Sequence, residues 1–198
     1  MASGVNALVD QLEAAGVAFV PGLSLVELRD AEELFGFVFP PDLAELLRAR
    51  LPDRLTRQDR NGSFVNWRRC LHSREAEKEA RTRLGAPLEG VLFDIEANSF
   101  WLPDWGEKPD TRSERERVCR ERLRGAPTLI PVFSHRFIPA TPSEAGNPVF
   151  SVHQTDIILY GNSLADYFHH EFGGASSAGA APGAKRIEFW SELVDLNG

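Results

Sequence analysis

Apolar residues recur at helical spacing in three segments at the start of the chain. Residues 5–12 place four apolar side chains on one face of a helix. Ser24 and Glu27 match a capping box, which predicts a helix over residues 25–35. A Pro-Pro pair then opens a further helix over residues 41–50. The pattern therefore predicts three helices before the first strand.

Short runs of β-branched and aromatic residues later in the chain predict strands. Residues 128–133 and 135–138 form one pair of such runs, and residues 149–152 and 157–160 form a second. Apolar residues at helical spacing follow at 162–172. We therefore expect an α+β fold, a mainly antiparallel β-sheet with α-helices packed against it. The second pair of strands and its helix should form the centre of the core.

The middle of the chain changes its pattern near residue 89. Residues 73–84 predict a charged helix that ends at Gly85. Residues 91–96, VLFDIE, then show the period-2 alternation of a half-buried strand. Thr111 and Glu114 match a second capping box, which predicts a helix that ends at about residue 124.

The end of the chain combines a low-complexity stretch with a last amphipathic segment. Residues 173–184 consist almost entirely of Gly, Ala and Ser, which is typical of a flexible linker. Residues 185–198 predict a helix whose apolar face must dock, on its own domain or on a partner. We therefore expect a single α+β domain over residues 1–172, followed by this linker and by a C-terminal helix docked on the same domain.

Charge and cysteine content narrow the classes of function. The chain of 198 residues has a net charge of −7, so a direct nucleic-acid partner is not expected. It has no run of about 18 apolar residues and no basic, apolar leader, so we expect no membrane span and a cytoplasmic location. Cys70 and Cys119 form no CxxC motif, which argues against a disulfide scaffold and against structural zinc.

The sequence lacks the short motifs that mark nucleotide sites and zinc proteases. It contains no GxGxxG, no P-loop and no HExxH, and we expect neither a cofactor nor an enzyme activity. On a strand, Asp94 and Glu96 would share a face about 7 Å apart, which leaves a metal-dependent hydrolase as an alternative. Ser134, His135 and Asp156 supply the residue types of a nucleophile triad. However, no GxSxG motif surrounds the serine, and neighbouring residues of a strand face opposite ways.

The densest acidic block, residues 84–111, also contains two of the four tryptophans. Exposed tryptophans among carboxylates are typical of a protein-binding surface. A buried tryptophan pair is the alternative. The candidate partner-binding residues in this block are Asp94, Glu96, Trp101, Asp104, Trp105 and Glu107.

Several strings in the sequence resemble one protein family. FDIEANSFWLPDWGEKP (93–109), IPVFSHRFIPATP (130–142) and NPVFSVHQTDIILYGNSLADYFHHEF (147–172) are similar to the bacterial SUKH superfamily, the Smi/Knr-type domain. Residues 25–47 look like the opening pair of helices of the same family. The resemblance spans roughly residues 17–172 and does not include the end of the chain.

The resemblance implies an α+β fold and a function in protein binding. Bacterial proteins of this family act as immunity proteins that bind and neutralise toxins, often nucleases, and fungal relatives regulate cell-wall assembly through protein contacts. No catalytic residues come with the family. We therefore expect a non-enzymatic, immunity-type protein that binds a nuclease-like toxin through an acidic surface. A regulatory or scaffold protein of the cell-wall assembly type is the alternative. An acidic surface suits a basic nuclease because complementary charge speeds encounter.

Overall fold

The computed structural model describes residues 2–57, 61–173 and 183–197. In these ranges, eight α-helices and six β-strands form the predicted α+β fold. The helices are α1 (Ala2–Ala14), α2 (Leu25–Phe35), α3 (Pro41–Ala49), α4 (Trp67–Cys70), α5 (Arg74–Ala97), α6 (Arg112–Leu123), α7 (Leu164–Gly173) and α8 (Trp190–Asn197). The strands are β1 (Val17–Pro21), β2 (Arg50–Leu55), β3 (Leu129–Phe133), β4 (Arg136–Pro139), β5 (Val149–His153) and β6 (Asp156–Gly161).

The strands form two antiparallel sheets. A four-stranded sheet has the order β3-β4-β5-β6, so each strand pairs with its neighbour in the sequence. Two-residue turns join β3 to β4 and β5 to β6, as antiparallel strands permit. Ser134 and Gln154 adopt positive φ in these turns, 50° and 58°. Both predicted pairs of strands are therefore confirmed.

The three predicted N-terminal helices are present, with a short strand between the first two. The capping box at Ser24 and Glu27 is formed in both directions, and Gly36 ends α2 in the left-handed conformation. The unpredicted strand β1 pairs with β2, which begins at Arg50. β2 has the sequence RLPDRL, whose proline and three charges disfavour a strand. Pairing between segments distant in the sequence, rather than local propensity, therefore produces this sheet.

Residues 91–96, predicted as a strand, belong to a helix, and the strand prediction is wrong. α5 continues through Gly85 and Pro87 and has 24 residues. Val91 and Ile95 are buried four residues apart, whereas Phe93 between them is 53% exposed. Spacing by four residues places side chains on one face of a helix. The alternation in VLFDIE fits both periods, and packing against the sheet selects the helical one.

Two glycines of α5 should respond oppositely to alanine. A Cβ at Gly90 would lie 2.7 Å from the backbone Cα of Gln154, whereas a Cβ at Gly85 would meet no atom within 4 Å. We expect Gly85→Ala to stabilise the protein by about 0.4–1 kcal/mol, because alanine restricts the unfolded chain. Gly90→Ala should destabilise it by about 1–3 kcal/mol, because the helix must move away from the β5–β6 turn. Urea unfolding of both variants measures the sign of each change in the free energy of unfolding. Equal changes in the two variants would contradict the packing of α5 against the β5–β6 turn.

The four-stranded sheet is buried on both faces. Ile130 and Ile138 belong to a first core with residues of α1, α2, α3 and α7. Leu129 and Phe137, their neighbours in sequence, belong to a second core with residues of α5, α6 and α8. Successive side chains of a strand point to opposite faces, so a sheet covered on both sides requires consecutive apolar residues.

The last described segment packs on the second core. The Trp190 side chain is buried, and its indole Nε1–H donates a hydrogen bond to the carbonyl of Pro127 at 2.7 Å. At the other end of α8, the Asn197 amide donates to the carbonyls of Thr155 and Ile157, at 2.8 and 3.2 Å. α8 therefore lies on the same domain as the sheet. Residues 174–182, most of the predicted linker 173–184, lie outside the described residues.

Candidate functional site

The six candidate residues lie in different environments. The first of them, Asp94, has a buried side chain. Only 4% of this residue is exposed. Its Oδ2 accepts hydrogen bonds from the backbone N–H of Thr155 at 2.8 Å and from the Thr155 hydroxyl at 2.6 Å, and Oδ1 accepts one from Asn98. Burial raises the pKa of Asp94, but these hydrogen bonds outweigh it and leave the pKa below its ordinary value. Asp94 therefore fastens α5 to the β5–β6 turn and is not part of an open surface.

Glu96 is engaged in a two-point ion pair. Its two carboxylate oxygens accept hydrogen bonds from Nε and Nη2 of Arg115, both at 2.8 Å. Arg115 also donates to the backbone carbonyls of Pro109 and Asp110, and so holds the loop before α6. The hydrogen bond from Arg115 keeps the pKa of Glu96 below its ordinary value. Glu96 therefore links α5 to α6.

The helical conformation also separates the two carboxylates that a metal site would need. Residues two apart on a helix differ in direction by about 200°, so Asp94 and Glu96 do not share a face. Among the described residues, no group of three His, Cys, Asp or Glu side chains is placed to hold a metal ion. The carboxylate pair on which the hydrolase alternative depended is thus not formed.

Ser134 and His135 lie together, but for a reason that the sequence did not indicate. Both lie in the turn between β3 and β4, not within a strand, and Ser134 Oγ is 3.3 Å from His135 Nδ1. The expectation that they face opposite ways is therefore wrong. Asp156 lies across the β5–β6 turn, where it pairs in register with His153. Ser134 is half-buried and His135 is exposed.

Both cysteines are free and buried. Burial raises the pKa of the Cys70 thiol to about 11 and that of the Cys119 thiol to about 12. The thiolate is the reactive form, so neither side chain is poised as a nucleophile.

Trp101 and Trp105 form an aromatic cluster in the loop between α5 and α6. Their rings meet edge to face, with centroids 5.1 Å apart. Trp105 is buried in the second core, whereas Trp101 is half-buried and its Nε1–H donates to the carbonyl of Gly106 at 2.8 Å. The Trp105 ring also lies nearly parallel to that of Phe189, at 6.4 Å and 11°. The cluster therefore connects this loop to the C-terminal segment.

Beside this cluster lies a groove of about 550 Å³, which we call the acidic groove. Its apolar lining includes Leu102, Trp105, Phe189 and Leu196. Leu196 is 61% exposed, so the groove presents one large aliphatic side chain to solvent. The volume falls within the range of about 300–1,000 Å³ that is typical of ligand-binding pockets.

Acidic side chains predominate among the charged groups of the groove. Of the candidate residues, Asp104 and Trp105 line it, and Asp104 is exposed, as is the nearby Glu107 outside it. One arginine, Arg122, is also present. The carboxylates that line the groove are Asp104, Glu188, Glu192 and Asp195.

The C-terminal segment contributes residues to this site that were not among the predicted candidates. Glu188, Glu192 and Asp195 alternate with the apolar residues of that segment. This alternation is the signal in the sequence that indicates a charged face beside the apolar one. The groove forms because α8 packs beside the loop 102–105, about 85 residues earlier in the chain.

Phe189 is held in an uncommon backbone conformation at the base of the groove. Its φ is +66°, and the N–H of Trp190 donates to the carbonyl of Glu188 at 2.8 Å, which closes a γ-turn around Phe189. Positive φ at a bulky residue costs about 1–3 kcal/mol. The burial of Phe189 and Trp190 offsets this cost and fixes the Phe189 ring against Trp105.

Comparisons with known proteins leave the chain without an assigned family. No family model, no curated protein and no solved structure matches it. In the described ranges, no helix is both long and apolar enough to cross a membrane.

Proposed function

We propose that this protein is a non-enzymatic, immunity-type binding protein that captures a basic, nuclease-like toxin in the cytoplasm. The binding site is the acidic groove. The observation that carries the proposal is the composition of this groove, where an exposed Leu196 and the Trp105 side chain lie among four carboxylates. Large apolar side chains with a charged border are typical of protein interfaces.

The resemblance to the SUKH superfamily supports the same function. The string at 93–109 contains Leu102, Asp104 and Trp105, which line the groove. Proteins of that family act through protein contacts and carry no catalytic residues. Asp94 and Glu96, in the same string, connect α5 to the β5–β6 turn and to α6 and do not line the groove.

The charge of the groove favours a basic partner. A negative field attracts a basic protein and raises its association rate. A nuclease binds the phosphates of its substrate with basic side chains, and carboxylates can occupy those side chains instead. Binding of the toxin at the groove would therefore also block its substrate site.

A charge-reversal variant tests the proposal. Asp104, Glu188 and Glu192 are exposed, so replacing all three with lysine should leave the fold intact. The candidate partners for the assay are the purified products of the genes adjacent to the gene of this protein. We expect the triple variant to associate at least roughly 10-fold more slowly at low salt and to lose neutralisation of nuclease activity.

A matched variant separates the groove from the overall charge. Asp30, Glu33 and Glu45 are exposed on α2 and α3, and their replacement with lysine changes the net charge equally. This control should associate faster than the groove variant and should still neutralise the toxin. Equal losses in the two variants would show that net charge, not the groove, attracts the partner. Unchanged binding by the groove variant would reject this surface.

A further inference from the structure

We infer that the partner element held by the acidic groove is a short segment in which arginine or lysine flanks an aromatic side chain. This inference rests on the proposed function and specifies the chemistry of the partner. Three features of the described groove lead to it: its apolar lining, the position of its free carboxylates, and its rigidity.

The apolar lining fits one large side chain. Leu196 is exposed, and the Trp105 and Phe189 rings are stacked beside it in the lining, with small exposed areas. An aromatic side chain placed against Leu196 would bury it and would lie beside these two rings. Aromatic pairs are favourable in edge-to-face or offset-stacked geometry, and aromatic residues are the usual anchors of protein interfaces.

The carboxylates come from two separate parts of the chain. Asp104 belongs to the loop before α6, whereas Glu188 and Glu192 belong to the C-terminal segment. No ion pair within the described residues involves these three side chains, while Asp195 is paired with Arg186 at 2.8 Å. Cations on both sides of the anchor would therefore find carboxylates that are not already paired.

The backbone keeps the groove in shape before a partner arrives. The γ-turn at Phe189 and the hydrogen bond from Trp190 to Pro127 fix one wall. On the other side, the Trp101 Nε1–H donates to the Gly106 carbonyl within the loop, and Arg115 holds the end of that loop at Pro109 and Asp110. A preorganised site loses less conformational entropy on binding, so a short segment is sufficient to occupy it.

The negative charge of the groove does not favour residues 174–182 of the same chain as its occupant. Residues 174–182, which precede the C-terminal segment, include no basic and no aromatic side chain. A second copy of the protein remains an outcome that the experiment can detect.

The test is an NMR titration with small synthetic probes. N-acetyl-Arg-Trp-Arg-amide should cause saturable shifts of the signals of Trp105 and Leu196. Its affinity, taken from these shifts, should fall as the salt concentration is raised. N-acetyl-Glu-Trp-Glu-amide and N-acetyl-Arg-Gly-Arg-amide should bind at least roughly 10-fold more weakly, because each lacks one half of the recognised chemistry. Leu196→Ala and Glu192→Lys both alter exposed positions, and each should lower the affinity for the Arg-Trp-Arg probe several-fold. Glu33→Lys, on α2, is the control that should leave its binding unchanged.

Three results would overturn the inference. The first is an Arg-Trp-Arg probe that causes no saturable shift. The second is equal binding of the Glu-Trp-Glu probe, or shifts that map outside the groove. The third is self-association, measured by sedimentation, that Glu192→Lys abolishes, because the occupant would then be a second copy. The toxin assay is independent of these results, so neutralisation without probe binding would leave the proposed function standing and reject only this partner chemistry.

Discussion

Replacing Trp190 with alanine should lower the free energy of unfolding by about 3–5 kcal/mol. The side chain is buried in the second core, contacts Phe189 edge to face at 5.0 Å, and donates a hydrogen bond to Pro127. The variant loses the transfer energy of the indole, leaves a cavity and leaves the Pro127 carbonyl without this donor. Because domains of this size are stable by about 5–15 kcal/mol, the loss would be a large fraction of the total.

Urea unfolding followed by circular dichroism measures this loss. Leu196→Ala is the matched control, since Leu196 is on the same helix but exposed, and we expect a change of less than about 0.5 kcal/mol. A Trp190→Ala variant as stable as the wild-type protein would contradict the packing of α8 on its own domain. It would then favour the alternative in which this helix docks on a partner.

Replacing Asp94 with alanine should cost about 2–4 kcal/mol. The carboxylate is the acceptor for both the backbone N–H and the hydroxyl of Thr155, and for the amide of Asn98. Its removal leaves the N–H and the hydroxyl of the half-buried Thr155 without this acceptor, and loosens α5 from the β5–β6 turn. Thr155→Val removes one of the donors, so the double variant should lose less than the sum of the two single losses.

The contribution of Asp94 should depend on pH. Its pKa in the folded protein lies below the ordinary value because of the hydrogen bonds from Thr155 and Asn98, which exceed the opposing effect of burial. A lowered pKa means that the ionised form stabilises the fold, so this stabilisation is complete above about pH 4 and is lost as the pH falls through the lower value. Asp94→Asn does not titrate. The difference in stability between the wild-type protein and this variant should therefore shrink below about pH 4.

Glu96→Ala is the informative comparison for Asp94. The Arg115 pair that it breaks is partly open to solvent, where ion pairs contribute little. We expect a much smaller effect on stability than that of Asp94→Ala. Equal effects would contradict the difference in burial between the two carboxylates.

Under the proposed function, the C-terminal segment contributes to partner binding as well as to folding. Glu188, Phe189, Glu192 and Leu196 supply one wall, and α8 places them beside the loop that contains Trp105. Substitutions at the exposed residues of this wall can alter partner choice with little effect on the core. Substitutions at Trp190 should change both stability and binding, because the wall and the core share this helix.

Local signals in the sequence were sufficient for much of the architecture. The capping box at Ser24 and Glu27 and the left-handed Gly36 act within a few residues, so α2 was predicted with its observed limits. The strand runs around 129–139 and 149–161 were also recognisable, because a sheet covered on both faces requires continuous apolar sequence. The acidic and aromatic composition of residues 84–111 likewise indicates Asp104 and Trp105 as candidate binding residues.

The sequence by itself therefore determined the α+β class, the helices with clear caps, the two strand pairs of the larger sheet and the acidic aromatic block. The tertiary structure alone decided that residues 91–96 are helical, because their alternation satisfies two periods and only contact with the β5–β6 turn distinguishes them. It also decided which carboxylates are open: Asp94 and Glu96 are used within the fold, whereas Asp104 is exposed. Burial depends on which distant segments meet, and here α8 meets a loop about 85 residues earlier, which no local pattern specifies.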